Sequence, residues 1–208
     1  LRWPPDEVFE HRRRVAEDRR GRLVADRDQE RRPEQRRPGR GGAGSAVARV
    51  ARDEMPEVIF PGPEGRLEGR YHPQKDRDAP IAIVLHPHPQ FGGTMNNKVV
   101  YNLHYAFYNM GFTVLRFNFR GVGRSQGEYD QGIGELSDAA SALDYLQSMN
   151  QNSKHCWVAG FSFGAWIGMQ LLMRRPEVEG FISVVPPESL YDFSFLAPCP
   201  SSGLIIHG

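Results

Sequence analysis

Gly160-Phe161-Ser162-Phe163-Gly164 sets one hydroxyl between two residues that lack side chains. Gly-x-Ser-x-Gly is a weak pattern alone, because both residue types are common. Its neighbours strengthen it. The apolar run Cys156–Ala159 leads straight in, and the apolar segment Phe163–Arg174 follows at once. A strand that bends sharply into a helix is the setting of a nucleophile elbow. Ser162 is then expected on a tight, strained turn at the carboxyl edge of a sheet. Gly160 and Gly164 would let backbone approach without a Cβ clash. The helix after Ser162 would aim its first N–H groups at a reacting carbonyl, with Phe163 N–H as one oxyanion donor. The chemistry of such a group is acyl transfer; the bland alternative is a glycine-lined turn with an idle serine.

A second cluster is His86-Pro87-His88-Pro89-Gln90-Phe91-Gly92-Gly93, after the apolar run Ile81–Leu85. In this architecture the second oxyanion N–H comes from that loop. Pro87 and Pro89 have no N–H, which leaves Gln90 or Phe91, and Gln90 is the expected donor. The prolines stiffen the loop, and Gly92-Gly93 let it fold close to Ser162. His86 and His88, two apart and without a third ligand nearby, make a poor metal site. His86 is expected to make a structural hydrogen bond at the strand end.

A third cluster is Asn118-Phe119-Arg120-Gly121-Val122-Gly123-Arg124-Ser125-Gln126-Gly127. Its glycine spacing is wrong for a dinucleotide fingerprint, and no helix opens directly behind it. It reads as a glycine-rich turn, with Arg120 expected to anchor the loop through backbone carbonyls.

The elements that must position these clusters are legible from hydrophobic patterning. Glu57–Phe60 and Arg66–His72 flank Pro61-Gly62-Pro63-Glu64-Gly65, which predicts an antiparallel hairpin. Ile81–Leu85, Phe112–Phe117, Cys156–Ala159, Phe181–Val185 and Leu204–Ile206 are continuous apolar runs, as in strands buried on both faces of a parallel sheet. Between them, Val99, Val100, Leu103, Phe107 and Met110 share one helical stripe, with Gly111 placed to cap it. Leu136, Ala139, Ala140, Leu143 and Leu146 share another. Strand–helix alternation implies right-handed crossovers and a doubly wound α/β fold with a mostly parallel sheet.

Taken together, the three clusters resemble those of the α/β-hydrolase superfamily, and most closely its small bacterial members with a His-Pro-His-Pro-x-x-Gly-Gly loop and a Gly-Phe-Ser-Phe-Gly elbow. The resemblance covers about residues 55–208. It implies a serine hydrolase acting on an ester, thioester or amide through an acyl-enzyme, with no cofactor. It also implies an acid after the strand Leu204–Ile206 and a histidine after one further strand. Ser162, Asp192 and His207 do satisfy the chain order Ser, acid, His. His207 nevertheless ends a strand, where the family places a structural residue. The expectation is therefore a C-terminally truncated hydrolase domain that lacks the last strand and helices, is poorly soluble and does not turn over. Its last strand is expected to be an open edge. The aromatic segment Pro186–Phe195, with Tyr191, Phe193 and Phe195, would wall an apolar acyl pocket or simply pack. The competing function is a non-catalytic binding protein of the same fold.

Composition bounds the remaining classes. The chain has 208 residues and a net charge of +1. Residues 1–54 hold fifteen arginines against eleven acidic residues, a net of +4. Residues 55–208 hold eleven Lys/Arg against fourteen acidic residues, a net of −3, which does not suit a nucleic-acid surface. Residues 1–54 read as a disordered, arginine-rich segment, with Met55 expected as the natural start. Two cysteines, Cys156 and Cys199, exclude a disulfide framework and a cysteine-based zinc site. The longest clean apolar run, Ile81–Leu85, is far short of the roughly 20 residues that cross a bilayer, and no apolar leader is seen. The expectation is a cytoplasmic protein whose partner is a small acyl substrate, with neither nucleic acid nor membrane. Nothing in the sequence bears on the oligomeric state.

Overall fold

Ile81, Ile83 and Leu85 alternate with Ala82 and Val84 along one short strand, and all five are buried. A strand is apolar at every position only where both faces of its sheet are covered. The computed structural model shows how, and describes residues 55–207. The expectations for residues 1–54 lie outside the described residues.

Seven strands form one mixed sheet: β1 (Glu57–Gly62), β2 (Gly65–His72), β3 (Ile81–Leu85), β4 (Thr113–Phe117), β5 (Cys156–Phe161), β6 (Val178–Val184) and β7 (Ser202–Ile206). Their order across the sheet is β1-β2-β4-β3-β5-β6-β7. β1 and β2 are the expected antiparallel hairpin, closed where Gly62 faces Gly65. β2 runs antiparallel to β4, while β3 to β7 are parallel. The loops that leave β3, β4, β5 and β6 therefore rise from one edge.

Three helices connect the parallel strands: α1 (Lys98–Asn109), α2 (Ile133–Met149) and α3 (Phe163–Arg174). Val100, Leu103 and Phe107 of α1 pack on Ala82, Val84 and Val114. On the opposite face, Ala139, Leu143 and Leu146 of α2 join Ile167 and Leu171 of α3 over Ile83, Leu85 and Leu115. Each such fully buried aliphatic side chain contributes about 1.5–3 kcal/mol relative to exposure. Met110, placed on the α1 stripe by periodicity, is instead 60% exposed. It is the C-terminal cap, and Gly111 behind it takes φ 93° to turn the chain out of the helix. The stripe's additional buried member is His104.

β7 forms one edge of the sheet, pairs with β6 alone, and is exposed at all five positions, including Leu204, Ile205 and Ile206. Among the described residues, no helix is long and apolar enough to cross a membrane. Nor does any group of three or more His, Cys, Asp or Glu side chains there come together to hold a metal ion.

His104 is on the buried face of α1, with Nε2 at 3.2 Å from His72 Nδ1. Burial, then the charges of Arg116 and His72, push its pKa down to about 3. Burial likewise lowers His86 to about 4. A lowered histidine pKa means that the unfolded chain takes up protons the folded chain refuses. Stability is then fully present above pH ~6.5 and is lost as the pH falls toward the folded pKa values. We expect each ring to withdraw on the order of 2 kcal/mol between pH 7 and pH 5. Urea midpoints measured at the two pH values check this, and equal midpoints would contradict it.

Candidate active site

Ser162 sits on the bend between β5 and α3 with φ 54° and ψ −117°, a conformation L-residues rarely adopt. The surroundings hold it there. Its N–H donates to Val184 O at 2.9 Å, and its own carbonyl accepts from Ala165 N at 2.9 Å. The bend is forced by close backbone packing. A Cβ on Gly160 would drive into the Gly164 carbonyl, and one on Gly164 would lie 2.5 Å from Leu85 O and 2.6 Å from His86 O. Ser162 itself is half-buried, at the sheet edge rather than in the core.

Phe163 is the first residue of α3, so its N–H has no carbonyl within the helix to bond. Its ring is 1% exposed and anchors the helix end. His88 lies 4.9 Å away between ring centroids, Phe119 5.9 Å, Trp166 5.8 Å and Tyr191 6.0 Å. The loop after β3 thus packs directly on the elbow helix.

His86 makes the hydrogen bonds expected at the end of β3. Its Nε2 accepts from Phe119 N–H at 3.0 Å, so the proton resides on Nδ1, which donates to Pro87 O at 2.6 Å. This ring links the loop after β3 to the turn after β4. Gln90 lies in a short 3-10 turn, Pro89–Phe91, and its N–H donates to His88 Nδ1 at 3.2 Å. The N–H groups of Phe91 and Gly93 both donate to His88 O, at 3.1 and 3.0 Å.

The turn after β4 is anchored differently from the expectation. Among the described residues, Arg120 binds no backbone carbonyl. Its Nε and Nη2 form a two-pronged pair with Asp138 of α2 at 3.0 and 2.8 Å, and Arg120 N–H adds a third bond to Asp138 at 3.0 Å. Asp138 is fully buried, so an uncompensated carboxylate there would be costly, and the fork geometry of Arg supplies the compensation. Glu68 of β2 holds the other end, accepting from Asn118 Nδ2 at 3.0 Å and Arg124 N at 2.8 Å. Asn118 Oδ1 in turn accepts Met95 N–H at 2.8 Å. Sequence reasoning missed Asp138 and Glu68. The available signal for Asp138 was an acid one residue before Ala139 and four before Ala142, within the buried face of α2.

Asp192 and His207 are not brought together by any hydrogen bond described for them. The Asp192 carboxylate accepts from Ser194 N–H and Ser194 Oγ, each at 2.8 Å. His207 is exposed, directly after β7. Among the described residues, no side chain hydrogen-bonds Ser162 Oγ. The aromatic segment packs: Tyr191 stacks on Trp166 at 4.2 Å, and Trp166 Nε1 donates to Asp192 O at 3.3 Å. A groove of about 440 Å³ between α2 and α3 is lined by Ile133, Leu136, Trp166 and Leu171, and by none of Tyr191, Phe193 or Phe195.

Two substitutions test these constraints. Ser162→Gly should stabilise the fold by about 1 kcal/mol, because glycine adopts φ 54° without strain. Asp138→Ala should cost about 3–5 kcal/mol by stranding the buried Arg120. Chemical denaturation of both variants reads the two effects, of opposite sign.

The chain is similar to known proteins. A solved structure from Agrobacterium tumefaciens, a protein of unknown function named as a candidate alpha/beta hydrolase, is 75% identical. It superposes with a TM-score of 0.71 over 72% of this chain and 69% of that one. An alpha-beta serine hydrolase homologue from Coxiella burnetii is 39% identical, with a TM-score of 0.65 over 72% of each chain. An uncharacterized protein of Rickettsia prowazekii is 57% identical over 157 residues, which are 74% of this chain. The chain spans 66% of that relative's length. The sheet order, hairpin and crossovers are those of an alpha/beta hydrolase fold. The family model of the X-Pro dipeptidyl-peptidases matches residues 69–202, from β2 to β7, and the chain belongs to that S15 family.

Proposed function

We propose that the protein is a serine hydrolase that cleaves an ester, thioester or amide of a small acyl substrate through an acyl-enzyme. The observation that carries this reading is the strained backbone of Ser162 at the mouth of α3. Strain of 1–3 kcal/mol persists only where surrounding structure overrides it, and it clusters at reacting groups. Ser162 Oγ would attack the acyl carbon as its proton passes to a base. The charge that develops on the carbonyl oxygen would meet Phe163 N–H, at the positive end of α3, and the N–H of Gln90. Collapse of the tetrahedral intermediate expels the alcohol, thiol or amine, and water then releases the acid. The S15 family name keeps amides within the substrate set. Two free thiols, Cys156 and Cys199, support a reducing, cytoplasmic setting.

One observation favours a second reading, a non-catalytic binding protein of the same fold. The Asp192 carboxylate accepts from Ser194, and among the described residues no side chain bonds Ser162 Oγ. A fluorophosphonate probe separates the two. In the folded, full-length protein we expect covalent labelling at Ser162 and hydrolysis of a p-nitrophenyl ester, both abolished by Ser162→Ala without loss of folding. A folded protein that neither labels nor turns over supports the binding reading.

A further inference from the structure

Two loops at the carboxyl edge of the sheet meet at one imidazole, and a third segment reaches them through Tyr129. His88 belongs to the loop after β3, Tyr129 to the loop after β4, and Tyr191 to the segment after β6. His88 Nδ1 accepts Gln90 N–H at 3.2 Å. A neutral imidazole has one donor and one acceptor, so its proton must reside on Nε2. Nε2 lies 3.0 Å from the Tyr129 hydroxyl and therefore donates to it. The Tyr191 hydroxyl interacts with that of Tyr129, and burial pushes the pKa of both groups up. The ring stays neutral because burial lowers its pKa to about 4. It also lies against the rings of Phe163 and Phe91, at 4.9 and 4.7 Å.

We propose that His88 is a positioning residue for acyl transfer: through Nδ1 it aims the Gln90 amide, and through Nε2 it is itself fixed to Tyr129. The inference rests on the serine-hydrolase reading and deepens it. At rest, the Gln90 N–H has a neutral nitrogen as its acceptor, at the long end of the hydrogen-bond range. A charged oxyanion makes a bond roughly twice as strong as a neutral acceptor does. The neutral substrate carbonyl competes poorly for this amide, whereas the developing oxyanion takes it. The second donor is thus held near its working place and engages chiefly in the transition state, which raises kcat rather than binding. Tyr129 keeps the imidazole from rotating away, and Tyr191 supports Tyr129.

Two measurements on the intact protein test this. Imidazole ¹⁵N NMR should show His88 protonated on Nε2 and not on Nδ1 at neutral pH, with a titration midpoint near 4. Kinetics with a p-nitrophenyl ester should show kcat falling about tenfold or more in His88→Phe, with KM within about twofold. His88→Asn, whose amide oxygen can replace Nδ1 as acceptor, should recover most of that loss. Tyr129→Phe should lower kcat in the same direction and let His88 exchange tautomers. A proton on Nδ1, an unchanged kcat in His88→Phe, or an Asn variant no better than Phe overturns the proposal. If Ser162 is inert in the wild-type protein, the acyl-transfer reading fails and takes this role with it. If Ser162 reacts but the tautomer is reversed, only the role of His88 fails.

Discussion

The backbone of α3 passes so close to β3 and β5 that no side chain fits between them at two points. Gly160 faces the Gly164 carbonyl, and Gly164 faces the carbonyls of Leu85 and His86. This contact forces β5 to turn into α3 within a single residue, and that residue is Ser162 at φ 54°. It also brings the end of β3 against the first turn of α3, so the loop carrying His86, His88 and Gln90 begins beside the elbow. The Ser162 hydroxyl, the helix end and the loop after β3 are all placed by one steric fact.

Buried charge holds the rim around that contact. The turn after β4 has few apolar side chains of its own to fix it. Arg120 and Asp138 tie it to α2, and Glu68 with Asn118 ties it to β2. Such pairs cost desolvation and stabilise little in net terms, yet leaving either partner alone is strongly unfavourable. Their effect is therefore geometric: the turn has one arrangement that satisfies its donors and acceptors. His86 extends the same logic by bonding Phe119 N–H and Pro87 O at once. Each of the two rings in the loop has one nitrogen donating and one accepting, in opposite senses, because their burial keeps both neutral.

The fold was largely readable from hydrophobic periodicity, for a reason that β3 and α2 illustrate. Ile81–Leu85 is apolar throughout because helices cover both sheet faces, and Ala139, Leu143 and Leu146 recur at helical spacing because one face of α2 is buried. Met110 shows the limit of periodicity, which does not register that a helix has ended and its cap has turned outward. Within the site, Ser162, Gly160 and Gly164 were visible because a tight backbone bend demands particular residue types at fixed spacing. Arg120 was noticed but given the wrong partner, since its acid lies eighteen residues onward on another element. Tyr129 carried no local signal at all, and Tyr191 was legible only as one of an aromatic run that walls a pocket or packs.

What the amino-acid order determined by itself was therefore local: which segments are strands and helices, where the chain must bend, and which hydroxyl the bend displays. Those properties depend on steric limits and burial patterns within a few residues. Only the tertiary structure decided the partners of the polar side chains: Asp138 for Arg120, Phe119 N–H for His86, and Tyr129 for His88. Directional bonds between groups far apart in the chain depend on where the sheet order brings separate loops, and no local pattern encodes that.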